Sequence, residues 1–171
     1  SIIADWETIH PDFFIFLTYI NRGINGQTTS QMLLRFRPDV IELKPKIAVI
    51  LAGTNDIAGN TGPTSLETIL GNLISMCELA KANNVRVILC SILPAYDYPW
   101  RRGMEPAEKI VRLNSMIQQY AAANDIPYAD FHTTMADEKK GMKSIYSNDG
   151  VHPNKSGYLV MESILEAVQF M

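Results

Sequence analysis

Apolar residues alternate along the chain between short dense runs and longer stretches in which they recur every three or four positions. The dense runs are Lys46 to Ala52, Val85 to Leu93 and Ile126 to Phe131, each with the β-branched or aromatic bias of a strand. Leu17 to Ile24 is a weaker strand candidate. Between these runs, Thr29 to Phe36, Thr64 to Ala82, Pro106 to Ala123 and Lys155 to Phe170 have the spacing of amphipathic helices. Their starts carry a chemical signature: Thr64 and Glu67 in capping-box spacing, Pro106 suited to a first turn, and Asn154 placed to cap the last helix.

Strand followed by helix, repeated, predicts a mostly parallel sheet covered on both faces. The expected fold is an α/β, three-layer α/β/α sandwich of flavodoxin-like type, with its site in the loops at the carboxyl ends of the strands. No repeat, low-complexity tract or linker interrupts the pattern, so residues 1–171 are expected to form a single domain. The composition is 47% hydrophobic, enough for a sizeable core. The longest aliphatic run, Ile47 to Ala52, is about a third of what a bilayer crossing requires, so no membrane span is expected.

Fifteen Lys and Arg against eighteen Asp and Glu give a net charge of −3, mixed along the chain. That leaves no electrostatic footprint for nucleic acid and favours a neutral or weakly polar small molecule. Cys77 and Cys90 fall in a helical and a strand segment, without metal-site or redox spacing, and read as buried thiols. They leave the compartment open: cytoplasmic, or exported if a leader was removed upstream of Ser1. The sequence is silent on oligomeric state.

Three polar motifs fall at strand ends or before helices. Gly53-Thr54-Asn55-Asp56 directly follows the first dense run, where an Asn amide can donate to a developing oxyanion. The same residues also serve as a polar turn satisfying local backbone groups. In Asp149-Gly150-Val151-His152-Pro153-Asn154, a carboxylate and an imidazole three residues apart share a loop. The carboxylate could accept from Nδ1 and leave Nε2 to take a proton from a hydroxyl. A capping loop with an exposed Asp and His would read the same. Asn21 to Thr29 joins the weak strand to a helix, with Gly26 where backbone could approach a ligand, although a simple turn explains it equally.

Taken together, these residues resemble the SGNH hydrolases, the GDSL family of lipases and acylhydrolases. Three of the family's four blocks stand in order: the glycine of the second at Gly26, Gly-x-Asn-Asp at Gly53 to Asp56, and Asp-x-x-His at Asp149 to His152. The first block departs from the pattern, because its Gly-Asp-Ser or Gly-Asn-Ser should end a strand. Here Ser1-Ile2-Ile3-Ala4-Asp5-Trp6 resembles the Ser-Ile-Thr-x-Gly-Trp that begins at the nucleophile, with Ser1 and Trp6 matching and Ile3 and Asp5 not. The resemblance implies Ser1 as nucleophile, His152 as base and Asp149 as its orienting carboxylate. It further implies an oxyanion hole from the N–H groups of Ser1 and Gly26 with the Asn55 amide, acting through an acyl-enzyme and without metal or cofactor. It also implies a strand upstream of Ser1, ending in Gly-Asp or Gly-Asn, since a parallel sheet lacking it would expose inner edges.

The expected reaction is hydrolysis of carboxylic esters, with short acyl or acetyl groups on a carbohydrate or lipid-like alcohol. Pro94 to Met104 supplies the candidate substrate contacts Tyr96, Tyr98 and Trp100, beside Arg101 and Arg102. An aromatic lid packed on the scaffold is the other reading of that loop. His10 and His132 lack block context and read as structural. The competing function is a noncatalytic flavodoxin-like small-molecule-binding module, which would have no need of Asn55, Asp149 and His152 at strand ends.

Overall fold

The computed structural model describes residues 1–17 and 19–169. Three parallel strands, β1 (Ile47–Ile50), β2 (Arg86–Cys90) and β3 (Tyr128–Ala129), form a sheet in the order β1-β2-β3. Ile47 pairs with Arg86 and Ile50 with Leu89, while Leu89 pairs with Tyr128. Among the described residues eight α-helices accompany them: α1 (Ile2–Ile9), α2 (Pro11–Leu17), α3 (Thr29–Phe36), α4 (Thr54–Ile57), α5 (Leu66–Ala82), α6 (Pro106–Ala123), α7 (Phe131–Met135) and α8 (Lys155–Gln169). A π-helical turn, Arg37–Ile41, extends α3.

Alternation along each strand sends successive side chains to opposite faces, and the two faces meet different helices. Ala48, Ile50, Val87 and Leu89 join Leu73 and Met76 of α5 and Leu113 and Ile117 of α6 in one core. Ile88 and Cys90 join Trp6 of α1, Phe131, and Tyr158 and Met161 of α8 in the other. The strands are apolar on both sides because both sides are covered, which is the three-layer arrangement the pattern predicted. Trp6 anchors the second layer, stacked on Phe13 at 5.2 Å and on Tyr158 at 5.3 Å, with its Nε1 donating to the buried Glu162 carboxylate at 2.9 Å.

α3 and α6 occupy the segments the spacing predicted, and Pro106 opens α6. The start of α5 differs: Ser65, not Thr64, caps it, its Oγ accepting from the Thr68 N–H at 3.1 Å. Glu67 instead reaches Arg112 on the surface at 3.1 Å. The predicted strand Leu17 to Ile24 is a correction. Leu17 ends α2, Thr18 lies outside the described residues, and Tyr19 to Ile24 form no ladder. Strand propensity is realised only against a neighbouring strand, and this segment is instead fastened to α1. Asn21 Nδ2 donates to the Ile3 carbonyl at 2.7 Å, and a Cβ on Gly23 would lie 2.5 Å from the Ala4 nitrogen. The third predicted strand shortens to Tyr128–Ala129, because Asp130 caps α7 by accepting from the Thr133 N–H at 3.0 Å. Of the last predicted helix, Phe170 lies outside the described residues.

A cavity of about 610 Å³ follows the outer edge of β1, between it and the Tyr19 to Ile24 segment. Its walls include Ile2, Phe13, Val49 and Leu51, and Ser1 and Asn55 also border it. Cys77 and Cys90 are buried free thiols, and burial pushes the Cys77 thiol up to about 12.

Beyond β2 the Ser91 N–H still donates to the Ala129 carbonyl of β3 at 2.9 Å, and from Ile92 a helix side chain takes over the hydrogen bonding. Asn114 of α6 accepts from the Ile92 N–H at 2.7 Å and donates to the Ile92 carbonyl at 2.9 Å, all of it buried. Asn114→Leu should therefore destabilise the fold despite adding apolar surface, by about 2–4 kcal/mol, because it orphans one buried donor and one buried acceptor. Differential scanning calorimetry should record this as a Tm lower by roughly 5–15 °C.

Candidate active site

The loop from Ser147 to Asn154 is folded around one carboxylate. Asp149 Oδ1 accepts from the backbone N–H groups of Val151 (2.9 Å) and His152 (2.8 Å) and from Ser147 Oγ (3.1 Å). That leaves Oδ2 for His152 Nδ1, at 2.7 Å. The Gly150 N–H donates to Ser147 Oγ at 3.0 Å, and Gly150 takes φ +81°, a left-handed conformation that glycine adopts without strain. Downstream, Asn154 Oδ1 accepts from the Gly157 N–H at 3.1 Å, so the expected cap does begin α8. Asn154 Nδ2 also ties the loop to the Ile145 carbonyl at 3.0 Å.

With Nδ1 committed to Asp149, His152 presents Nε2 to Ser1 Oγ at 3.0 Å. The contact joins residues 151 apart in sequence, and packing supports both sides of it. Ser1 is the N-cap of α1, its carbonyl accepting from the Asp5 N–H at 2.8 Å. The buried Tyr158 hydroxyl, on α8, donates to the Ile2 carbonyl at 2.8 Å and so ties the serine's helix to the helix that follows the histidine loop. Ser1, His152 and Asp149 thus form one continuous hydrogen-bonded line.

Burial opposes ionisation of Asp149. The His152 side chain, the His152 and Val151 backbone N–H groups and the imidazole's charge outweigh it, and the carboxyl pKa is held at about 2. Asp149 therefore stays ionised across the range in which a histidine titrates.

The Gly53 to Asp56 motif sits at the carboxyl end of β1 and opens α4. Its two polar side chains part company. Asp56 is 5% exposed and turns to the start of α3, accepting from the Thr29 N–H (2.9 Å) and Thr29 Oγ1 (2.6 Å), with Asn72 Nδ2 donating to the same hydroxyl at 3.0 Å. Burial raises its pKa, and the Thr29 bonds hold the shift back. Asn55 turns instead towards the Gly26 loop, its Nδ2 donating to the Gln27 carbonyl at 2.9 Å. Gly26 has φ +76°, and its carbonyl accepts from Asn60 Nδ2 at 3.0 Å. Asn55 and Ser1 border the same cavity.

The aromatic loop divides between surface and core. Trp100 is 46% exposed and lies beside His152, ring centroids 5.6 Å apart. Tyr96 is more exposed still. Tyr98, read from sequence as a substrate contact with them, is buried and stacks on Trp100 at 5.1 Å, where it supports that ring. A second cavity, of about 280 Å³, lies behind the carboxylate and is walled by Tyr96, Tyr98, Arg102, Asp137, Asp149 and Gly150. His10 Nδ1 lies 2.7 Å from Glu162, and burial lowers the pKa of His132. Neither belongs to the site. Among the described residues, no group of three His, Cys, Asp or Glu side chains gathers as a metal would require.

Sequence reasoning passed over Ser147 and Asn60. Ser147 lies two residues before Asp149, but its burial and its contacts with Asp149, the Gly150 N–H and the His152 carbonyl depend on how the loop closes. Asn60 stands beyond the recognised Gly-x-Asn-Asp block and becomes relevant only once the chain turns back at Gly59.

The sequence profile of the GDSL-like Lipase/Acylhydrolase family matches residues 6–160. The chain belongs to that family. Membership places this GDSL-like protein among carboxylic ester hydrolases, and the matched span contains Gly26, Asn55, Asp149 and His152. Two solved structures are similar over nearly the whole chain. One, from Bacteroides fragilis and assigned as an acylhydrolase, is 46% identical, with a TM-score of 0.97 over 99% of this chain and 83% of its own. The other, a GDSL-like lipase from Bacteroides thetaiotaomicron, is 49% identical, with a TM-score of 0.96 over 99% of this chain and 84% of its own. A Bacillus subtilis protein named "Uncharacterized lipoprotein YqeF" is 37% identical over 84 residues, which is 47% of this chain and 35% of that protein. The match thus spans about a third of that curated relative. No helix among the described residues is long and apolar enough to cross a membrane.

An acid whose folded pKa lies below its unfolded value contributes stability above the unfolded value and loses it as pH falls through the folded one. For Asp149 that window runs from 3.8 down to about 2. With the side chain 42% exposed, solvent screening leaves the contribution at about 1 kcal/mol. Asp149→Asn should therefore be less stable than the parent from neutral pH to about pH 4. In urea titrations the two chains should then converge as pH approaches 2.

Proposed function

We propose that this chain cleaves carboxylic esters by nucleophilic catalysis at Ser1, with His152 as general base and Asp149 as the group that orients it. The observation that carries the proposal is the line Asp149 Oδ2, His152 Nδ1, His152 Nε2, Ser1 Oγ, with links of 2.7 and 3.0 Å. His152 takes the hydroxyl proton as Ser1 Oγ attacks the ester carbonyl, and the imidazolium so formed is stabilised by the ionised Asp149. The tetrahedral oxyanion is held by the Ser1 and Gly26 backbone N–H groups and the Asn55 amide. Ser1 caps the positive end of α1, which favours the same charge. His152 then gives its proton to the leaving alkoxide, and water repeats the sequence on the acyl-enzyme to release the acid.

The preferred substrates are short acyl or acetyl esters of a carbohydrate or lipid-like alcohol. The alcohol leaves on the His152 side, because His152 delivers its proton. Trp100, half exposed beside His152 and backed by Tyr98, supports a flat apolar platform for that part of the substrate. The partner so proposed is a small-molecule ester and not a nucleic acid.

We also infer that residues 1–171 act within one domain that includes a further strand joined to Ser1. The cavity along the outer edge of β1 supports this. It is bounded by a strand edge, it is lined by apolar side chains from both β1 and Tyr19 to Ile24, and Ser1 borders it. A chain carrying that segment should show a higher Tm than residues 1–171 alone by thermal scanning. An unchanged Tm would overturn the inference.

Esterase action is tested with p-nitrophenyl acetate turnover and fluorophosphonate labelling of the protein, its Ser1→Ala variant and its Asp149→Asn variant. Ser1→Ala should lose labelling entirely and turnover by at least about 10³-fold, and Asp149→Asn should lose about 10²–10⁴-fold in kcat. Retained labelling in Ser1→Ala would sink the nucleophile assignment. A panel of acetylated sugars, lysophospholipids and longer acyl esters then ranks the alcohol and acyl parts.

A further inference from the structure

We propose that Asn60 is a positioning residue for ester hydrolysis: its carboxamide fixes the orientation of the Asn55 amide and holds the Gly26 loop against it. The proposal rests on the oxyanion role given above to Asn55 and Gly26.

Asn60 Nδ2 lies 3.0 Å from the Gly26 carbonyl and 3.1 Å from Asn55 Oδ1, while Asn55 Nδ2 lies 2.9 Å from the Gln27 carbonyl. Two of these four groups are backbone carbonyls, which only accept, and they leave the network a single sense. Asn60 must turn its NH₂ to Gly26, so it meets Asn55 with a donor. Asn55 must then turn its oxygen to Asn60 and its NH₂ to Gln27. A primary amide has two N–H protons. Gln27 takes one from Asn55, and a single proton remains for an oxyanion.

The consequence is sharp because an amide flipped by 180° is worse than no amide. A flipped Asn55 would set its oxygen against the Gln27 carbonyl and withdraw its donor from the site, leaving a carbonyl dipole where negative charge develops. Two hydrogen bonds oppose that flip, one donated to the Gln27 carbonyl and one accepted from Asn60. The same Asn60 nitrogen bonds Gly26, so one group sets the distance between two donors that come from different loops.

Asn60 itself is exposed, and its backbone holds it in place. Its N–H donates to the Asn55 carbonyl at 3.0 Å, closing a turn that spans the rest of α4. Gly59, at φ +70°, reverses the chain there, and the Gly62 N–H donates back to the Gly59 carbonyl at 3.0 Å. Arg101 Nη1, from the aromatic loop, donates to the same Gly59 carbonyl at 2.6 Å. The turn that carries Asn60 is thus pinned from two sides.

Asn60→Asp and Asn60→Ala separate positioning from bulk. The carboxylate is isosteric but offers only acceptors to Gly26 and Asn55, and so favours the flip, whereas alanine merely removes the brace. With p-nitrophenyl acetate, Asn60→Asp should lower kcat by about 10- to 50-fold, and Asn60→Ala by less, with KM within about twofold and Tm unchanged. In an Asn55→Ala background, adding Asn60→Asp should cost under about threefold more, since its main target is gone. The Asn55 side-chain amide pair in a ¹⁵N–¹H NMR spectrum should shift in Asn60→Asp, and this readout needs no turnover. Should the parent prove inactive, esterase action fails while the NMR shift still decides the bracing. An unmoved Asn55 amide, kcat within about twofold of the parent in Asn60→Asp, or a full multiplicative loss in the double variant would overturn the proposal.

Discussion

β2 is hydrogen-bonded on both edges and buried on both faces, and that constraint organises the rest of the molecule. A strand so placed can carry almost nothing polar along its length, and Val87, Ile88, Leu89 and Cys90 carry nothing polar but the Cys90 thiol. Polar chemistry is therefore expelled to strand ends and the loops beyond them. The Asn55 amide follows β1, the aromatic loop follows β2, and the His152 loop is brought to the same end by α8 packing on the opposite face of the sheet. Where the ladder stops at Cys90 the need for hydrogen bonds does not. Ile92 is satisfied by Asn114 from a helix, so this buried polar side chain serves the chain that continues the strand.

The residues of the site are held by groups that take no part in the proposed reaction. Asp149 spends one oxygen on its own loop, on Val151, His152 and Ser147, and only the other on the imidazole. The arrangement fixes the carboxylate before it fixes the histidine, and the same bonds keep it ionised. Asp56 does comparable work for the other half of the site by bonding the start of α3, which sets where the Gly26 loop enters that helix. The two aspartates share a residue type and differ in direction. Asp149, partly exposed and rich in donors, is driven acidic, while Asp56, buried beside one threonine, is driven the other way.

The layers also explain which sequence signals were readable. Helices α3 and α6 and strands β1 and β2 carried their own periodicity, and the polar blocks at Gly53 and Asp149 stood out because they interrupt it. The stretch from Leu17 to Ile24 has strand-like composition, yet among the described residues it meets α1 rather than a ladder. Helices α1 and α2 escaped notice because their crowded aromatics, Phe13 and Phe14 among them, mask a helical period.

The sequence by itself determined the alternation of strand and helix, the two-sided burial, and the identities of Gly26, Asn55, Asp149 and His152 as the residues worth attention. The alternation and the burial follow from short-range spacing, whereas the four residues stand out because their motifs resemble, in order, the blocks of the SGNH family. Tertiary structure alone decided that His152 Nε2 reaches Ser1, that Asn55 and Asp56 face different partners, that Tyr98 is buried and stacked on Trp100, and that Asn60 and Ser147 bond Asn55 and Asp149. Each is a contact whose direction depends on how loops close. Closure is set by backbone hydrogen bonds and left-handed turns at Gly26, Gly59 and Gly150, which residue spacing does not encode.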